Sequence, residues 1–85
     1  MAASPGERAR IRAGTLPRDP RFRQWLARAN GGDPVDEDDA AQYIREACCD
    51  GNSRSMIATT PEYRAAFERL EDRYMVETGL RMEVR

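Results

Sequence analysis

The 85-residue sequence predicts an all-α fold: a small bundle of three main helices with a short extra helical turn and irregular or extended termini. Three observations lead to this prediction. Apolar side chains recur at helical spacing in three segments, each segment begins with a capping residue, and a glycine follows each segment. The length allows one small domain with a modest core.

Residues 1–17 contain two prolines, two glycines and few bulky apolar side chains. This composition predicts an Arg-rich flexible arm. Two ordered alternatives stay open, because the alternation of Arg8, Arg10 and Arg12 with small or apolar residues is typical of a strand, whereas residues 7–13 also suit a short helix. The predicted organisation is an arm over 1–17, a helical domain over 18–79 and an extended tail over 80–85.

The first main helix is predicted over residues 19–30. Asp19 can cap it, and Pro20 occupies the first helical position, where a missing N–H costs nothing. Gly31 ends it. We expect Phe22 and Trp25 to be the main anchors of the core. The apolar stripe of this helix consists of Phe22, Trp25, Leu26 and Ala29.

The second main helix is predicted over residues 36–49, with Asp36 as its cap and Gly51 as its stop. Three acidic residues in its first turn favour the positive end of the helix dipole. The side expected to be buried consists of Ala40, Tyr43, Ile44, Ala47 and Cys48.

A short helical turn over residues 54–58, capped by Ser53, should direct Met56 and Ile57 into the core. The longest helix follows over residues 61–78, beginning after Thr60 at Pro61. Its apolar stripe consists of Tyr63, Ala66, Phe67, Leu70 and Tyr74.

The tail alternates apolar and charged side chains, which is the period of a strand. An isolated strand needs a partner, and three are open: residues 8–13, the same tail in a homodimer, or the sheet edge of another protein. The apolar positions of the tail are Leu80, Met82 and Val84.

Charge is segregated along the chain, although the total is only -1. Residues 1–30 hold seven arginines and two acidic residues, a net +5, whereas residues 31–50 hold seven acidic residues and one arginine, a net -6. Helix capping and solubility can explain the acidic block, and docking on a basic groove that normally holds nucleic acid is the functional alternative. The candidate partner-binding residues are Asp33, Asp36, Glu37, Asp38 and Asp39.

The basic N-terminal third supports a rival prediction, direct binding of nucleic acid through phosphate contacts. A solvated terminus is the plain alternative. A helix-turn-helix is a weaker variant of this prediction, because Ala47, Gly51 and Ile57 have its spacing but Asp50 and Asn52 depart from its apolar pattern. The candidate phosphate-binding residues are Arg8, Arg10, Arg12, Arg18, Arg21 and Arg23.

The residue types present argue against catalysis and against a bound cofactor or metal. The chain has no histidine, and two adjacent cysteines cannot complete a zinc site. We expect Cys48 and Cys49 to fill the core rather than act as redox thiols. From the missing histidine and the missing metal ligands we expect a protein that is not an enzyme. No long apolar run marks a membrane span or a signal peptide, so a cytoplasmic location is expected.

A pattern over residues 18–74 resembles small, mostly uncharacterised proteins of bacteriophages and prophages in GC-rich proteobacteria. The resemblance implies an accessory protein with no catalytic residues, in a class that includes inhibitors of host or defence machinery such as anti-CRISPR proteins, and helpers of replication and recombination. The matching segments are Arg-Asp-Pro-Arg-Phe-x-x-Trp-Leu at 18–26, Glu-Asp-Asp-Ala-Ala-x-Tyr-Ile-Arg-x-Ala-Cys at 37–48, Ser-Arg-Ser at 53–55 and Thr-Pro-x-Tyr-x-x-x-Phe-x-x-Leu at 60–70.

The favoured expectation is therefore a phage-type protein that binds a nucleic-acid-handling protein complex through its acidic helix start and inhibits it. The alternative is a nucleic-acid-binding accessory protein that uses the Arg-rich arm. A third prediction is a protein that pairs with itself through the tail.

Overall fold

The computed structural model describes residues 4–80, which contain helices and turns and no strand. This confirms the all-α fold, with one α-helix more than expected. The elements are α1 (Pro5–Thr15), a first 3₁₀-helix (Leu16–Arg18), α2 (Pro20–Ala29), α3 (Glu37–Cys48), a second 3₁₀-helix (Arg54–Ala58) and α4 (Pro61–Glu77).

The additional helix, α1, lies where the sequence predicted a flexible arm. The Ser4 hydroxyl caps it by accepting a hydrogen bond from the Glu7 N–H at 3.1 Å, and Pro5 occupies the first helical position. Ala9 and Ala13 are fully buried. Residues 7–13 are therefore helical. This agrees with the short helix that the sequence left open, and the flexible arm and the strand were wrong.

Close packing explains why α1 is ordered without bulky apolar side chains. A Cβ on Gly6 would lie 2.6 Å from the Ala58 carbonyl oxygen, so only glycine lets α1 approach the second 3₁₀-helix this closely. The Arg54 guanidinium donates to the Ala13 carbonyl oxygen at 2.9 Å from the same side. Burial here involves small side chains, which a search for large apolar residues does not detect.

An ion pair ties α1 to α4. The Arg12 Nε donates to Glu71 Oε2 at 2.8 Å, and Glu71 is buried. A buried carboxylate without such a partner would be strongly destabilising, so the pair fixes the position of α1 on the bundle.

Three aromatic rings form the contact between α2 and α4. The ring centroid of Tyr74 lies 5.2 Å from that of Phe22, edge to face, and 5.4 Å from that of Trp25. Phe22 is fully buried, as predicted, and Trp25 is partly buried, packs against the core and donates its Nε1 hydrogen to Glu77 at 3.0 Å. The Tyr74 hydroxyl donates to Asp19 Oδ2 at 2.9 Å, which connects α4 to the cap of α2.

The buried side of α3 differs from the prediction at two positions. Tyr43 and Ala47 are exposed, because the buried face of α3 is rotated about the helix axis toward Ala41, which is buried instead. The helix ends as predicted, since the Gly51 N–H donates to the Arg45 carbonyl at 2.8 Å and Gly51 has a φ of 82°. The buried residues of α3 are Ala40, Ala41, Ile44 and Cys48.

The last two elements agree with the sequence in most of their core positions. Ile57 of the second 3₁₀-helix is buried, whereas Met56 is exposed. In α4 the predicted stripe is buried or packed against the core, and Glu71 joins it. Leu80 is exposed, and Met82 and Val84, on which the predicted strand depends, lie outside the described residues. None of the helices within residues 4–80 is both long enough and apolar enough to cross a bilayer.

We predict that Gly6→Ala lowers the free energy of unfolding by about 1–3 kcal/mol, because the added methyl collides with backbone. Gly14→Ala is the matched control in the same helix: its Cβ would meet no atom within 4 Å, so better helix propensity should raise stability by about 0.5–1 kcal/mol. Urea unfolding of the two variants measures both changes. A Gly6→Ala protein as stable as the wild type would show that α1 is not docked.

Burial and the hydrogen bond to Asp19 raise the pKa of Tyr74 to about 12 from 10.0. The folded state thus holds the phenolic proton more tightly than the unfolded state, so this contribution to stability is complete below pH 10 and is lost as the pH rises through 12. Tyr74→Phe should be less stable than the wild type by about 1–3 kcal/mol at pH 8. We expect that difference to shrink between pH 10 and 12 in urea unfolding; a constant difference would contradict the bond to Asp19.

Candidate functional site

A groove runs between the C-terminal half of α2 and the exposed side of α3. The loop that joins the two helices closes one end of it through Pro34 and Val35, and its volume is about 400 Å³. We call it the acidic groove. Its lining residues are Leu26, Ala29, Asn30, Pro34, Val35, Asp39, Gln42, Tyr43 and Glu46.

The acidic groove has an apolar floor and a rim whose charged members are both carboxylates, Asp39 and Glu46. Tyr43 stands at its edge with 37% of its surface exposed. Gln42 lies between the two carboxylates and donates its Nε2 hydrogen to Glu46 at 2.9 Å. Gln42, Tyr43 and Glu46 lie three, four and seven residues after Asp39 along α3, so helical spacing puts all four on one face.

A second hollow of about 500 Å³ continues beyond Tyr43 toward α4. Here Arg73 lies over the Trp25 ring, 5.6 Å from its centroid, and Arg28 and Glu77 complete the polar lining. The acidic groove and this second hollow share three lining residues, Leu26, Ala29 and Tyr43. The groove therefore passes from an acidic end to a mixed, aromatic end.

The structure places the five predicted acidic residues around the start of α3. Asp33 lies in the preceding loop, and Asp36 caps the helix by accepting from the Asp39 N–H at 2.8 Å. Glu37 pairs with Arg18 at 3.3 Å in an exposed ion pair. All five are exposed, and one of them, Asp39, lines the acidic groove.

Three of these carboxylates have no compensating charge within the described part of the chain: Asp33, Asp38 and Asp39 form no side-chain hydrogen bond or ion pair with residues 4–80. Glu46, which is not among the acidic residues predicted to bind a partner, joins Asp39 in the groove. The signal for it was present, because positions 39, 42, 43 and 46 form a helical stripe that contains no core residue.

The six predicted phosphate-binding arginines do not act as one array. They are spread over α1, the first 3₁₀-helix and α2, and Arg10, Arg12 and Arg18 are each paired with a carboxylate. Arg8 and Arg21 are exposed. The Nε of Arg23 is buried and makes no hydrogen bond to residues 4–80. Much of the predicted positive charge is thus neutralised on folding.

The hydrogen bond and charge of Arg10 also lower the pKa of the Glu7 carboxyl, which is consistent with a stable surface pair. The helix-turn-helix variant does not fit the fold, since a five-residue 3₁₀-helix follows Gly51 in place of a recognition helix.

Both cysteines are buried core residues. Burial raises the pKa of Cys48 to about 11, and burial together with the charge of Asp50 raises the pKa of Cys49. Neither thiol has the low pKa of a reactive cysteine. Within residues 4–80, no group of three or more His, Cys, Asp or Glu side chains is arranged to hold a metal ion.

Comparison with protein-family models, with curated proteins and with solved structures found no match to this chain.

We predict that neither cysteine of the folded protein reacts with the thiol reagent DTNB at pH 8 over minutes, because both thiols are buried and protonated. Both should react at once in 6 M guanidinium chloride. Release of one equivalent of chromophore from the native protein would place one thiol at the surface and contradict this packing.

Proposed function

We propose that the chain is a non-enzymatic accessory protein of the phage type that acts in the cytoplasm of a bacterial host. It binds a protein complex that handles nucleic acid and inhibits that complex. The contact is made by the acidic groove and the uncompensated carboxylates beside it, which dock on a basic, partly apolar surface of the partner.

The observation that carries the proposal is the combination of an apolar floor with uncompensated acidic charge. The floor, with Val35 and Tyr43, offers area whose burial favours association. The carboxylates of Asp38 and Asp39, which lack partners within residues 4–80, attract a positively charged surface and repel a negative one. The side-chain cap of α3 uses only Asp36, and although the helix dipole favours Asp38 and Asp39 in the first turn, it leaves both carboxylates exposed to a partner.

Inhibition follows from the chemistry of the partner. A complex that holds nucleic acid does so in a groove lined by Lys and Arg, whose positive potential also attracts other anions. An acidic protein that occupies the groove covers the phosphate-binding side chains, and each of the two occupants excludes the other.

Direct binding of nucleic acid through the arginines is the alternative. It has less support, because three of the six candidate arginines are paired with carboxylates. The experiment below separates the two functions, since a phosphate-bound complex is lost when nuclease removes the nucleic acid.

We predict that the tagged protein retains a stoichiometric protein complex from nuclease-treated proteobacterial lysate, and that the purified complex then binds nucleic acid only weakly in its presence. Biolayer interferometry should show that Asp38→Asn with Asp39→Asn slows association about tenfold at low salt. Tyr43→Ala should speed dissociation about tenfold.

The matched control is Glu62→Gln with Glu68→Gln, which makes the same change in net charge on α4, away from the acidic groove. It should bind like the wild type. Equal losses in both double variants would show that net charge alone matters. Recovery of proteins only when nucleic acid is intact, with affinity that falls steeply with salt, would replace the proposed function by the arginine alternative.

A further inference from the structure

Three arginines from three different elements converge on a hollow between α1, α3 and the second 3₁₀-helix. Its volume is about 300 Å³, and no acidic residue lines it. We call it the arginine hollow. Its lining residues are Arg10, Gly14, Arg45, Ser53, Arg54 and Ser55.

Two of the three guanidinium groups are held by neutral oxygens. Arg45 donates to the Gln42 amide oxygen from Nε at 3.2 Å and from Nη2 at 2.6 Å. Arg54 donates to the Ala13 carbonyl at 2.9 Å. Neither forms an ion pair with residues 4–80, whereas Arg10 is paired with Glu7. As far as residues 4–80 are concerned, the hollow therefore carries about two uncompensated positive charges.

Arg45 and Arg54 are partly buried as residues, and these hydrogen bonds hold both guanidinium groups in place before any ligand arrives. A guanidinium has five N–H donors, and the contacts above occupy two in Arg45 and one in Arg54, so several remain. The Ser53 and Ser55 hydroxyls lie 2.9 Å apart and share one hydrogen bond, which leaves one hydroxyl hydrogen for a further acceptor. Planar guanidinium donors with a hydroxyl suit a phosphate group.

Gly14 is an independent observation that points to the same hollow. It lies in the last turn of α1, where glycine is less favourable than alanine by up to about 0.5–1 kcal/mol. Its φ is not positive, and a Cβ would meet no atom within 4 Å, so neither the backbone nor packing requires glycine. Its effect is to leave the wall of the hollow open.

From this arrangement we propose that the arginine hollow binds a phosphate monoester. The two uncompensated charges match the charge of about -1.5 to -2 that a phosphate monoester carries at pH 7. Arg45 and Arg54 donate to its terminal oxygens, and the serine pair supplies a further donor. The site is separate from the acidic groove, with which it shares no lining residue.

The test is a titration of the isotope-labelled full chain, followed by NMR of the arginine Nε–H and backbone amide resonances. The probes are inorganic phosphate, adenosine 5′-monophosphate, and a short single-stranded oligonucleotide with and without a 5′-phosphate. We expect saturable shifts at Arg45, Arg54 and Gly14. Preference for the mononucleotide would identify a small phosphorylated molecule as the ligand, and preference for the 5′-phosphorylated oligonucleotide would identify a nucleic-acid end.

Arg45→Gln should weaken binding about tenfold or more, as the loss of a charged hydrogen bond implies. Gly14→Leu should weaken it similarly by filling the hollow, while its helix propensity keeps α1 folded. Arg69→Gln, an exposed arginine of α4 outside the hollow, is the charge-matched control and should bind like the wild type. Circular dichroism checks that each variant is folded.

Two results would overturn the proposal. One is the absence of saturable shifts at Arg45 and Arg54 with every probe. The other is equal binding of the two oligonucleotides, which would mean that backbone diesters rather than a terminal monoester are bound. The groove variants of the preceding subsection leave these residues intact, so the two proposals can fail independently.

Discussion

The close approach of α1 to the second 3₁₀-helix is the contact on which the rest of the structure depends. Gly6 permits it, since any side chain there would collide with the Ala58 backbone, and the fully buried Ala9 and Ala13 extend the contact along the helix. Because α1 is docked in this way, Arg12 reaches Glu71 of α4 and the Ala13 carbonyl receives the Arg54 guanidinium. Small residues and two arginines thus join α1 to two elements far along the chain, the second 3₁₀-helix and α4.

Charges that are segregated along the sequence are redistributed by folding, and those left unpaired within residues 4–80 lie on separate local surfaces. Basic residues of the first thirty positions meet acidic residues elsewhere, as Arg18 meets Glu37 of the acidic block. Helix α3 directs charges of opposite sign to different sides of the molecule, because the side chains of residues 45 and 46 point about 100° apart. Glu46 therefore lines the acidic groove and Arg45 lines the arginine hollow. One helix presents charges of opposite sign to two different cavities, which the net charge of -1 conceals.

Much of this fold could be predicted from sequence, because large apolar residues at helical spacing report burial directly: Phe22, Phe67 and Tyr74 are buried as expected. The predicted burial of Tyr43 was wrong, because the apolar stripe of a helix can be wider than the face that packs against the core. The opposite holds for α1, which was left open as a short helix over residues 7–13 beside a favoured flexible arm. Its buried residues are glycine and alanine, although Ser4 and Pro5 with Glu7 form a recognisable helix start. Neither cavity could be predicted in full, because each joins residues from separate elements.

The two cavities place limits on each other's ligands. Salt screens charge interactions over about 8 Å at physiological ionic strength, and Glu46 of the groove and Arg45 of the hollow are consecutive residues whose Cα atoms lie about 3.8 Å apart. The groove carboxylates therefore repel an extended nucleic acid that reaches from the arginine hollow toward α3, whereas a single phosphate group is small enough to avoid them. In the same way, the arginines of the hollow oppose a basic partner that spreads beyond the groove. The arrangement favours compact occupants at both sites, which suits the proposed phosphate monoester in the hollow and a basic surface of limited size at the groove.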